Sequence, residues 1–245
     1  MRWNPFQHLR KLKRFLDTRF GSSRTAHLRG ETRLEGVGDT TPSSREVIGP
    51  YKASPNGATA AVKQGELIAD LWVPRRIIDS GPDFSEKVNF VKQRFAIVLT
   101  QDCDLEFDFS ARFRGGKNHK RLNSLLLCEV VPLSELQRWT EDPSIANSST
   151  KWGQIVQNDY ERYHHLTAVS KEQDAVGEGL PALATDFKKY FTLRCEDLYD
   201  QLVRQARRRC ALVTPYKEHF ASRFFNFQSR VALPVPHHEI KIADS

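Results

Sequence analysis

Cysteine is scarce in this chain of 245 residues, and the four copies, Cys103, Cys128, Cys195 and Cys210, are spaced irregularly, with no CxxC among them. That spacing argues against a disulfide-dense secreted scaffold and against a compact structural zinc frame. No apolar run approaches the length of about 20 residues that a membrane-spanning helix needs. Met1 to Phe20 is charged throughout and lacks the uninterrupted apolar core of a secretory signal. A reducing, cytoplasmic setting without a transmembrane segment is the expectation. Net charge is also missing from most of the chain. Of 37 basic and 30 acidic residues, eight and one lie in residues 1–30, which leaves 29 of each for the rest. The formal charge of +7 therefore belongs to the amino-terminal arm, not to the body.

In that arm, Phe6, Leu9, Leu12 or Leu16, and Phe20 recur at spacings of three and four among basic residues, so residues 5–20 fit a basic amphipathic helix. Three roles stay open for it: a helix docked on the body, a nucleic-acid arm, or a membrane-surface or targeting helix. Residues 21–62 are rich in Gly, Ser, Thr and Pro without apolar periodicity and read as a mobile linker. The domain division expected is an arm and linker over 1–61, a β core over 62–135, an insertion over 136–185, and a strand with carboxy-terminal helices over 186–245.

The strongest strand signal is Phe95-Ala96-Ile97-Val98-Leu99, a short run with β-branched residues at its centre, which predicts a strand buried on both faces. It runs into Thr100, Gln101, Asp102, Cys103 and Asp104. Carboxylates and a thiol at a strand end are suited either to a reactive or binding site or to plain turn chemistry. Strands are also predicted at Glu66 to Val73, Ser124 to Val131, Tyr160 to Val169 and Asp186 to Leu193, with a helical turn from Ser134. Helices are predicted over Glu196 to Arg207 and after Thr214-Pro215, the second with a core stripe of Phe220, Phe224, Phe227 and Val231. Residues 140–159 read as an irregular insertion. The fold class expected is α+β.

Between the strands, Arg112, Arg114, Lys117, Lys120 and Arg121 stand among Gly115 and Gly116 in a stretch with few apolar residues. Such a loop offers cationic donors and close backbone approach to nucleic-acid phosphates, and is otherwise an ordinary solvated loop. Cys103 is a poor nucleophile on this reading, because its neighbouring carboxylates raise a thiol's pKa. His164 and His165 alternate in a strand, so at most one can join a given site. No metal or cofactor is expected.

The segments KQGELIADL, RFAIVLTQDCDL and SLLLCEVVPLSE resemble the opening of the small SH3-like barrels of the PemK/MazF toxin group. They resemble still more a set of bacterial proteins with a strand ending in Ser/Thr-Gln-x-Cys-Asp-Leu. The resemblance covers about 63–135 and, for the carboxy-terminal part, 185–234. It implies a partly open SH3-like barrel and a metal-independent endoribonuclease of the toxin or phage-defence type, with RNA as substrate and an antitoxin or other protein as partner. The group's arginine before the core strand falls on Arg94, the Ser or Thr that ends that strand on Thr100, and a second hydroxyl position near Ser134. Phe95 departs from the group, which has Pro there. In that chemistry Arg94 meets the phosphorane charge, while Asp102 or Asp104 takes the proton of the attacking 2′-hydroxyl. The alternative is a non-catalytic interaction module docking in a multi-protein system.

Overall fold

The computed structural model describes residues 49–78, 86–146 and 148–229. The arm, most of the expected linker, Val231 and the carboxy-terminal tail lie outside these residues. The strands are β1 (Tyr51–Ala53), β2 (Glu66–Ile78), β3 (Glu86–Val98), β4 (Ser124–Pro132), β5 (Tyr163–Leu166), β6 (Leu183–Arg194) and β7 (Arg207–Leu212). The helices are α1 (Asp102–Phe113), α2 (Leu136–Thr140), α3 (Pro143–Ala146), α4 (Ser149–Val156), α5 (Cys195–Arg204) and α6 (Tyr216–Gln228). The architecture is α+β. All seven strands join one antiparallel sheet in the order β1-β7-β2-β3-β4-β6-β5, with no pairing between its two edge strands.

The alternation of β3 sorts its side chains to two cores, as the sequence suggests. Phe95, Ile97 and Leu99 join Phe187 and the α6 stripe of Phe220, Phe224 and Phe227 on one face. Ala96 and Val98 join Leu105 and Phe109 of α1 and Leu198, Tyr199 and Leu202 of α5 on the other. The sheet is therefore covered on both faces, which is why its central strands read as continuous apolar runs. Beyond β5 the chain returns towards β1. The Tyr51 hydroxyl donates to the Thr167 carbonyl at 3.0 Å, and the Gln173 carboxamide donates to the Tyr51 carbonyl at 3.0 Å.

Four expectations need correction. Residues 49–62, within the stretch read as linker, are part of the body: Tyr51, Ala58, Ala61 and Val62 are buried. Arg208 fastens this apolar-poor segment by donating to the carbonyls of Gly57, Ala60 and Ala61. Residues 102–113 are helix, not strand end and loop. Asp102 and Asp104 occupy its first turn, where acids suit the helix dipole, while the buried Asp108 interrupts the apolar pattern that would have announced it. Arg207 to Leu212 is a strand despite three successive arginines, because Arg208 and Arg209 are buried in ion pairs with Glu66 and Asp174. Residues 140–159 are largely helical, and Ile145 and Ile155 pack with Leu136 and Tyr163 in a third small core. The sheet also continues past residue 135, into β5, β6 and β7.

Candidate functional site

The end of β3 is held by the KQG turn before β2. Gly65 donates to the Val98 carbonyl at 2.8 Å, and the Gln64 carboxamide donates to the Leu99 carbonyl at 2.9 Å. Gly65 has φ +75°, and a Cβ there would lie 3.0 Å from Leu212 Cβ and 3.1 Å from Lys217 Cβ. Both the left-handed backbone and the close approach demand glycine. Around this turn, Thr100 Oγ1 accepts from the Leu126 amide at 2.7 Å and so extends the ladder to β4. Asp102 accepts the Gln64 amide at 2.7 Å on one oxygen and the Lys217 ammonium on the other. Burial pushes the Asp102 carboxyl up, but Lys217 and the Gln64 N–H outweigh it and hold the group below the usual carboxylate range. Cys103 and Asp104 are exposed one residue further on, and Asp104 makes no ion pair among the described residues.

A second group lies at Arg94, where the apolar run Phe95 to Leu99 begins. Arg94 is more than half exposed, pairs with Glu135 at 3.0 Å, and lies with its guanidinium carbon 5.4 Å from the Phe95 ring centre. Ser134 is exposed in the 3-10 turn Leu133–Glu135 beside it. Arg94 and Thr100 are six positions apart in sequence, about 20 Å at the usual rise of extended chain. The structure thus gathers Arg94 with Ser134, and Thr100 with Asp102 and Asp104, at opposite ends of the apolar run Phe95 to Leu99. The five do not form one constellation.

The basic segment also divides. Arg112 is buried, with its side chain 6% exposed, and is not available to a phosphate. Its Nε donates to both Asp108 oxygens at 2.8 and 2.9 Å, and its remaining nitrogens reach Glu196 and the Leu122 carbonyl. Spaced four residues from Asp108 on α1, it is a helix-face ion pair that happens to be buried. Gly115, at φ +78°, and Gly116, whose amide donates to the Ser110 carbonyl at 2.9 Å, end that helix; they do not form a phosphate cradle. Arg114 is exposed and pairs with Glu106 at 3.0 Å. Lys117 is exposed, and Arg121 donates to the Ala111 carbonyl. Lys120 places its ammonium 4.4 Å from the centre of the Phe107 ring, which is 48% exposed on α1. Phe107 went unnoticed in the sequence because it reads as one more apolar residue of the core strand's sequel.

His164 is buried and His165 half-buried, with the His165 ring against the Val156 carbonyl, so the pair shares no site. Burial pushes the thiols of Cys128, Cys195 and Cys210 up to about 12, which leaves the exposed Cys103 as the accessible sulfur. Among the described residues, no group of three or more His, Cys, Asp and Glu is placed to hold a metal ion, and no helix is long and apolar enough to cross a membrane. A cavity of about 440 Å³ at Asp159, Tyr160, Arg162 and Lys188 contains none of the sequence candidates. No family model, curated protein or solved structure matches the chain.

Proposed function

We propose that this protein is a cytoplasmic, toxin-like or phage-defence-type protein that binds RNA, with its curled sheet as a partly open SH3-like barrel of the PemK/MazF kind. The observation that carries this reading is the exposed surface of Arg114, Lys117, Lys120 and Arg121 beside the half-exposed Phe107 ring. Cations there meet phosphates, and an aromatic face beside them suits an unstacked base. The curling of the sheet is supported by the Tyr51 to Thr167 hydrogen bond between its two margins. Cleavage, where it occurs, needs a base and a cation within reach of one phosphate. The distance between the Arg94 and the Asp102–Asp104 groups favours one of them over both together. An antitoxin-type protein partner belongs to the same reading.

Fluorescence anisotropy with a labelled short RNA, titrated with salt, tests it. Affinity is expected to fall steeply as salt rises, and to fall at least about tenfold in the Lys117→Glu, Lys120→Glu double variant at fixed salt. RNA binding that ignores both salt and the double variant would refute the assignment of this surface. Arg94→Ala and Asp104→Asn, assayed for RNA cleavage with melting temperature alongside, decide which of the two groups reacts. If both variants fold and retain full activity, the ribonuclease reading fails.

A further inference from the structure

The outer part of the β2–β3 hairpin is a two-stranded ribbon. β3 pairs with β2 from Ile97 out to Glu86, whereas β4 reaches only Phe95 to Val98. Among the described residues, nothing pairs with the far edge of β3 before Phe95. The corresponding edge of β2 is treated differently: the Gln201 side chain of α5 both accepts from the Trp72 amide and donates to its carbonyl, at 2.7 and 2.9 Å. Among the described residues, one edge of the ribbon is thus capped by a carboxamide and the other is left open. Two strands alone are marginal in water, and an uncapped edge is a template for another strand.

The open edge is also apolar. Val88 is 55% exposed and Phe90 61% exposed, and the register places Pro74 directly across from Phe90, with Trp72 the next position along the same face. Leu99 donates its amide to Leu126 on β4. That phase does not run into the ribbon: Asp70 has φ +63°, and the Gln201 bonds turn the Trp72 backbone away from β3. Its partner across the ladder, Lys92, therefore also turns outwards, and alternation points the backbone groups of Val88 and Phe90 outwards with it.

We infer that this edge pairs with the same edge of a second copy of the chain, antiparallel and about a two-fold axis at Asn89. In that register the outward-pointing Val88 and Phe90 meet as hydrogen-bonded pairs, and Asn89 faces Asn89 as a non-hydrogen-bonded pair. Val88 falls opposite Phe90 of the second copy twice, and position 86, an acid, falls opposite position 92, a base whose ammonium also lies 2.7 Å from Asp70 of its own chain, twice. The self-complementarity of charge and apolar character in one register is what selects a second copy over an unrelated strand. It also keeps the contact clear of Arg94, whose side chain is engaged with Glu135.

Sedimentation velocity on the full chain, freed of nucleic acid and run over two decades of concentration, should show a monomer–dimer equilibrium that Phe90→Lys weakens by at least about tenfold. In a Cys103→Ser background, Asn89→Cys should give an interchain disulfide on mild oxidation, since facing residues of a non-hydrogen-bonded antiparallel pair lie about 4.5 Å apart at Cα. Lys188→Cys, away from the ribbon, should not. A monomer at every concentration overturns the inference. So does a dimer indifferent to Phe90→Lys that forms no Asn89→Cys bridge, because it must use another surface. Should Phe90→Lys fail to fold, the bridge decides alone.

Discussion

Lys217, in the first turn of α6, reaches Asp102, in the first turn of α1, across 115 residues of chain. The contact ties together the two helices that cover opposite faces of the sheet, at the point where β3 ends. Asp102 is therefore a fastening of the fold as well as a site candidate.

Its acid dependence follows from the sign of the shift. The folded carboxyl titrates below its ordinary value near 3.9, so the pair's stability is present above that pH and is lost as pH falls through the lower folded value. Asp102→Asn should lower the melting temperature at pH 6 and flatten its decline below about pH 4. Melting curves from pH 6 to 2 check this, and parallel declines in the two proteins would show that the pair contributes nothing.

Arg208 and Glu66 are both without solvent exposure and form a bidentate pair. Removing one partner strands a buried charge, so Arg208→Met should cost about 3–5 kcal/mol. The cost should include loss of order in 57–61, whose carbonyls Arg208 holds. Urea denaturation measures the first and hydrogen exchange the second. Adding Glu66→Gln should recover part of the loss, because the orphaned charge goes with it.

These two pairs also show where the sequence was readable and where it was not. Phe95 to Leu99 and the stripe of Phe220, Phe224 and Phe227 carry their burial in local spacing, and both were legible. Strand β7 was not, since three consecutive arginines look solvated until Glu66 and Asp174 are found far away in sequence. Helix α1 was hidden for the same reason, with Asp108 and Arg112 buried on its inner face. Of the candidate site, the turn at Thr100 to Asp104 was located from local chemistry. The arrival of Gln64 and Lys217 there depends on tertiary contacts that no spacing encodes.

His164 is buried under α6, and burial, followed by the charges of Arg223, His219 and His165, pushes its imidazole down to about 3. The unfolded chain, with a value near 6.5, takes up this proton first. The associated stability is therefore intact above about pH 6.5 and is lost progressively as pH falls towards 3, by about 2 kcal/mol at pH 5. His164→Phe should remove that slope between pH 6.5 and 4, as read from urea midpoints at several pH values. An unchanged slope would mean that the ring is reached by solvent and protonates where it stands.

The basic segment makes the sharpest contrast. Arg112 is spent on Asp108, Glu196 and the Leu122 carbonyl, whereas Lys117 and Lys120 stand at the surface. Arg112→Gln breaks a buried pair and should destabilise the fold by about 3 kcal/mol or more. It should leave the salt dependence of RNA binding unchanged at temperatures where the variant remains folded. Lys117→Ala and Lys120→Ala should do the opposite. Each should change stability by no more than about 0.5 kcal/mol. Each should also reduce the slope of log affinity against log salt by roughly 0.7, the single-strand value for one lost phosphate contact. Thermal melts and anisotropy titrations on the same three proteins separate the two kinds of cation. A slope lowered by Arg112→Gln but untouched by both lysine variants would move the nucleic-acid surface away from the loop after α1.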